Sequence, residues 1–142
     1  MVLHSRSDKH ILLCKRNTVF CAIFAIGLTV PVLTGPGPAF QVTDGECENV
    51  SRDELVRQEQ VNKGGFPFVT KQADVEYLGD PSKVIYCVQA LSSDDPSVGS
   101  IAEITVGGVG HDFVNVHLTS KKGGPLHYDV EIYARAPNNN IK

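Results

Sequence analysis

Residues 107–135 read GGVGHDFVNVHLTSKKGGPLHYDVEIYAR, and their periodicity decides the fold. Val114, Val116 and Leu118 alternate with Asn115, His117 and Thr119, and Leu126, Tyr128, Val130 and Ile132 alternate with His127, Asp129 and Glu131. A period of two is the signature of strands with one buried face. Gly107, Gly108 and Gly110 precede the first run, and Gly123 and Gly124 separate it from the second, where tight turns or bulges need positive φ angles. If the two runs form one hairpin, burial requires both apolar sets on the same side of the sheet. His117 and His127 then share the opposite face with Asp129, directly across from each other or one step diagonal.

Two imidazoles and a carboxylate on one face are candidate metal ligands or a pH-sensing set. The ordinary reading is a solvated sheet face, because no third converging ligand is written nearby; no metal or cofactor is expected. GGVGHD is not a phosphate loop. It lacks the lysine and hydroxyl of GxxxxGK[ST] and runs into a strand, so no helix N-terminus faces an anion. No GxSxG or HExxH motif places a nucleophile or a metal. Asp94 and Asp95, beside Pro96, read as a solvated loop pair. The chain is expected not to be an enzyme.

The same reading extends upstream. Val69, Ala73, Val75 and Tyr77 alternate with polar residues and stop at the turn sequence GDPS, residues 79–82. KVIYCVQAL, residues 83–91, is apolar on both faces and reads as a central strand, with Val84, Tyr86, Val88 and Ala90 on one side and Ile85, Cys87 and Leu91 on the other. SIAEITV, residues 100–106, adds another strand. Short connections rich in Gly, Asp and Pro favour antiparallel pairing. Residues 51–61 stay open between a short helix capped by Ser51 and Glu54 and an extended first strand. The expected fold is all-β, a small antiparallel β-sandwich of about five to seven strands with a possible short N-terminal helix.

The first forty residues differ in kind. Arg6, Lys9, Lys15 and Arg16 precede the uncharged apolar run TVFCAIFAIGLTVPVL, residues 18–33, followed by small residues up to Ala39. That is the composition of a secretory signal, shorter than a membrane span and weakened as a helix by Gly27 and Pro31. The expected organisation is a signal over 1–39, an antiparallel β domain over 40–136 and a flexible tail over 137–142. Hydrophobic residues at 42% and charged residues at 20% exclude a wholly disordered chain. Removing residues 1–39 takes away four of 13 basic and one of 16 acidic residues, leaving 9 against 15 and a net charge of −6. Such a domain repels nucleic-acid phosphate backbones, so no direct nucleic-acid binding is expected. With the signal cleaved, no membrane partner is expected either.

Of the four cysteines, Cys47 and Cys87 remain after the leader. They can form only one intramolecular bridge, which an oxidising compartment favours. Asn49-Val50-Ser51 is a sequon, making Asn49 a candidate glycosylation site.

GGVG (107–110), the strand from Phe113 to Ser120, the basic-glycine turn from Lys121 to Gly124 and the ending Val130-Glu131-Ile132-Tyr133 are together similar to the C-terminal signature of the insect multiprotein bridging factor two family. The resemblance covers about residues 50–135. It implies two roles: a transcriptional coactivator that bridges a DNA-bound regulator and the basal machinery through protein contacts, and a secreted, often salivary, peptide. The leader, the paired cysteines and the sequon favour export. The expectation is therefore a secreted non-enzymatic protein of insect saliva or haemolymph that binds an unidentified protein partner, with the nuclear coactivator as the alternative.

Overall fold

Alternating apolar residues build seven strands among the residues that the computed structural model describes, 36–137: β1 (Val42–Gly45), β2 (Leu55–Lys63), β3 (Gln72–Leu78), β4 (Val84–Ser92), β5 (Ile101–Gly107), β6 (Phe113–Thr119) and β7 (Leu126–Arg135). The expected leader up to residue 35, and the tail beyond Pro137, lie outside the described residues. Two antiparallel sheets form, one in the order β1-β4-β7-β2 and the other β3-β6-β5. The expected all-β sandwich is what the chain adopts. Residues 51–61, left open from sequence, resolve into a single 3-10 turn at Arg52–Glu54 followed by β2. Ser51 makes no side-chain cap, so the capping-box pattern starts no helix.

The hairpin reading of β6 and β7 is overturned. β6 pairs with β3 and β5, whereas β7 pairs with β2 and β4. Val114, Val116, Leu118, Leu126, Tyr128, Val130 and Ile132 are nonetheless all buried in one core, as their alternation requires. They meet face to face from opposite sheets instead of side by side in one. Alternation specifies which side of a strand is buried but not which strand lies beside it.

The GGVG connection does form a hairpin, joining β5 to β6. Gly107, Gly108 and Gly110 take φ of 71°, 105° and 87°. Gly107 admits no other residue, because a Cβ there would lie 2.1 Å from the Phe113 carbonyl oxygen. Gly123, with φ of 83°, and Gly124, whose N–H donates to the Lys121 carbonyl at 2.9 Å, form the turn that carries the chain from one sheet to the other. Pro81 opens the expected GDPS turn, closed by Lys83 N–H to the Asp80 carbonyl at 2.9 Å.

β4 is central in its sheet, as expected, but its faces are reassigned. The register shifts between Ile85 and Cys87, and this bulge puts Ile85 into the main core with Val88 and Ala90. Tyr86 and Cys87 instead join Tyr133 in a second cluster, against which Cys47, Val50 and Leu55 pack. The extra residue of a bulge reverses the alternation on one side of it, and periodicity alone gives no sign of that.

Ahead of β1, Ala39 exchanges both backbone hydrogen bonds with Ala102, at 3.0 and 2.7 Å. Tyr128 donates its hydroxyl to the Phe40 carbonyl at 2.7 Å. The residue expected to precede a signal cut is thus paired with a strand of the domain.

Candidate functional site

The expected histidine face is divided between the two sheets. On the β3-β6-β5 sheet, His117 Nδ1 lies 2.8 Å from Asp74 Oδ1. A carboxylate only accepts, so Nδ1 carries a proton, and Nε2 lies 3.0 Å from the Thr119 hydroxyl. On the other sheet, His127 Nδ1 lies 2.8 Å from Asp94 Oδ1. Asp129 sits elsewhere on that sheet, opposite Gln60 and Leu91. His117, His127 and Asp129 therefore do not form one set, and no cluster of three or more His, Cys, Asp or Glu suited to a metal exists among the described residues. Asp94 is also no solvated loop residue: its side chain is only 13% exposed. Asp95 does remain at the surface, where Ser97 hydrogen bonds hold its carboxyl below the ordinary range.

Asp74, His117 and Thr119 repeat the acid-base-hydroxyl order of a catalytic triad. Their surroundings do not support that chemistry. The next backbone donor, Ser120 N–H, is already given to the Lys71 carbonyl at 2.8 Å, so it is not free for an oxyanion.

A built site lies at the opposite end of the sandwich, of which the sequence marked only the cysteines and Asn49. Cys47 and Cys87 are joined with Sγ–Sγ 2.06 Å, across 40 residues. The bridge fastens the segment after β1 over the outer face of the four-stranded sheet, where Val50 and Leu55 cover Cys87 and Tyr133. Gly45 makes the turn into that segment. Its φ is 89°, and a Cβ would meet the Tyr86 carbonyl oxygen at 2.1 Å.

Beside this brace, Arg135 stacks its guanidinium 4.3 Å from the centre of the Tyr86 ring and pairs with Glu46 at 2.8 Å. Tyr86 donates its hydroxyl to Glu54 at 2.6 Å, and Tyr133 donates to Glu131 at 2.6 Å. Burial, reinforced by the hydrogen bond to Glu131, pushes the Tyr133 hydroxyl up to about 12. Burial followed by the Glu54 bond also raises Tyr86. Two adjoining hollows open here, about 350 and 300 Å³, sharing Gly45, Glu46, Tyr86 and Arg135. Val84, Ile85, Val109 and Pro137 give the second an apolar wall, while Asn49 borders the first and is exposed. The signal that could have found this site was Arg135 two residues beyond a buried tyrosine, at the end of the last strand.

These features define a two-sheet antiparallel β domain, braced by one disulfide and carrying an aromatic–arginine hollow at the braced end. The chain belongs to the family described as Transcription activator MBF2, whose model matches residues 45–134. The match runs from the Gly45 turn to the penultimate residue of β7 and bears out the resemblance read from the C-terminal strands. No curated protein and no solved structure matches the chain. The family description names a transcription activator, which fits the coactivator expectation better than the secreted one.

Proposed function

We propose that this domain acts without catalysis, by binding another protein at its disulfide-braced end, and that it does so outside the cell, as in insect saliva or haemolymph. The carrying observation is the Cys47–Cys87 bridge. Disulfides persist in secreted proteins and are rare where glutathione keeps thiols reduced. The exposed sequon at Asn49 and the leader composition support the same compartment. Arginine and tyrosine are enriched among the residues that dominate protein interfaces, and here one stacks on the other at the lip of a hollow.

A second reading, the nuclear bridging coactivator, is favoured by the family description. It shares the protein-binding role and differs in compartment. Expression of a C-terminally tagged full-length chain in insect cells separates the two. Accumulation in the medium, with a mass shift at Asn49 removable by a glycosidase, supports export. Retention in nuclei with none in the medium replaces it with the coactivator reading.

A further inference from the structure

The loop between β2 and β3 breaks a local rule. Phe66-Pro67-Phe68-Val69 is a turn closed by Val69 N–H to the Phe66 carbonyl at 3.1 Å. Pro67 holds its second position, and Phe68, at the third, has φ of 66°. That is the type II pattern, whose third position ordinarily takes glycine or asparagine. Phe68 is the one non-glycine residue with positive φ among the described residues. The strained side chain gains little burial in return: Phe68 is 85% and Phe66 62% exposed. Strained backbone clusters at ligand clamps and switch regions, and exposed apolar patches mark interaction sites.

The base of the loop is firmly held. Gly123 N–H donates to the Val69 carbonyl, Ser120 N–H to the Lys71 carbonyl and Lys71 N–H to Ser120 Oγ, each at 2.8 Å. This docks the loop on the β6–β7 connection and brings Lys121 and Lys122 beside it, with Lys122 Nζ 5.8 Å from the centre of the Phe68 ring. Lys63 and Lys71 flank the loop in sequence and, like Lys121 and Lys122, lie at this end of the strands. In a chain whose acidic residues outnumber its basic ones, 16 to 13, four lysines thus accompany one protruding aromatic turn, against two acidic residues on the neighbouring 93–99 loop, Asp95 and the His127-paired Asp94.

We propose that this turn is a membrane-contact tip: Phe66 and Phe68 enter the interface of an anionic phospholipid bilayer while the surrounding lysines engage its headgroups. Aromatic side chains without a polar group gain by leaving water for the acyl boundary, and lysines near an anionic surface add attraction that salt weakens. Charge complementarity selects a negatively charged bilayer over a neutral one.

The chain contains no tryptophan, so a full-length Phe68→Trp variant reports on this loop alone, whatever the leader does. Its emission is expected to shift to the blue, and to be quenched by brominated acyl chains, on vesicles of phosphatidylserine and phosphatidylcholine but not of phosphatidylcholine only. Adding Lys121→Gln and Lys122→Gln should weaken that response roughly 25-fold, at about fivefold per lysine. Leu78→Trp, 85% exposed at the opposite end, should show no shift. An unshifted Phe68→Trp spectrum on the anionic vesicles overturns the proposal. So does an equal shift from Leu78→Trp, which would mean unspecific adsorption. So does a response insensitive to the two lysine substitutions.

Discussion

At the residue scale, single positions at the braced end carry strict demands. Gly45 combines a positive φ with a carbonyl where its side chain would be. Gly45→Ala is therefore expected to destabilise the domain by about 2 kcal/mol, read as a lowered midpoint in urea unfolding. Tyr133 makes a prediction in pH. Its hydroxyl is raised from 10.0 to about 12 by burial and by its bond to Glu131. The folded state thus keeps a proton that the unfolded chain releases near its ordinary value. The contribution is fully present below pH 10 and is lost as pH rises through the folded value of about 12. Unfolding midpoints should fall steeply across that window, and Tyr133→Phe should flatten the decline. Gly45 was not legible as special from sequence, since it sits in an unremarkable acidic stretch; Tyr133 was visible only as part of the family signature, and its bond to Glu131, two positions back on the same strand face, was not.

At the element scale, the histidines test the strand pairing. Had β6 and β7 formed a hairpin, His117 and His127 would be neighbours and their substitutions would couple. They lie instead on different sheets, each with its own carboxylate. His117→Ala and His127→Ala should be additive in unfolding free energy within about 0.5 kcal/mol. A cycle pairing Asp74→Ala with His117→Ala should give a coupling of about 0.5 kcal/mol, as for other solvent-exposed polar pairs. Coupling between the two histidines above 1 kcal/mol, roughly the ceiling for such exposed pairs, would contradict the pairing scheme. The five strands β3 to β7 and the buried faces of β6 and β7 were readable from period-two alternation, because side-chain direction follows from the chain itself, whereas β1, β2 and the bulged faces of β4 were not. The partner of each strand was not, since a buried face is equally satisfied beside or opposite another.

At the scale of the whole molecule, the disulfide and the distribution of charge set the character of the protein. Closing 40 residues should stabilise the domain by about 4 kcal/mol in the chain-entropy model, so reduction with dithiothreitol, or Cys47→Ala with Cys87→Ala, is expected to lower stability by that order. Calorimetry of the oxidised and reduced forms measures it. Glu46, Glu48, Asp53 and Glu54 lie at the braced end with Arg52 and Arg135, and Lys63, Lys71, Lys121 and Lys122 lie at the end of the aromatic turn with Asp94 and Asp95. The sequence by itself determined the all-β class, the antiparallel turns, the cysteine pair and the family, because each is written in local periodicity, turn chemistry or a count. Only the tertiary structure decided that the last two strands face each other across the core, that a bulge turns Tyr86 outward toward Arg135, and that Phe68 stands exposed among lysines. Those outcomes depend on contacts between residues far apart in the chain, and no local pattern encodes them.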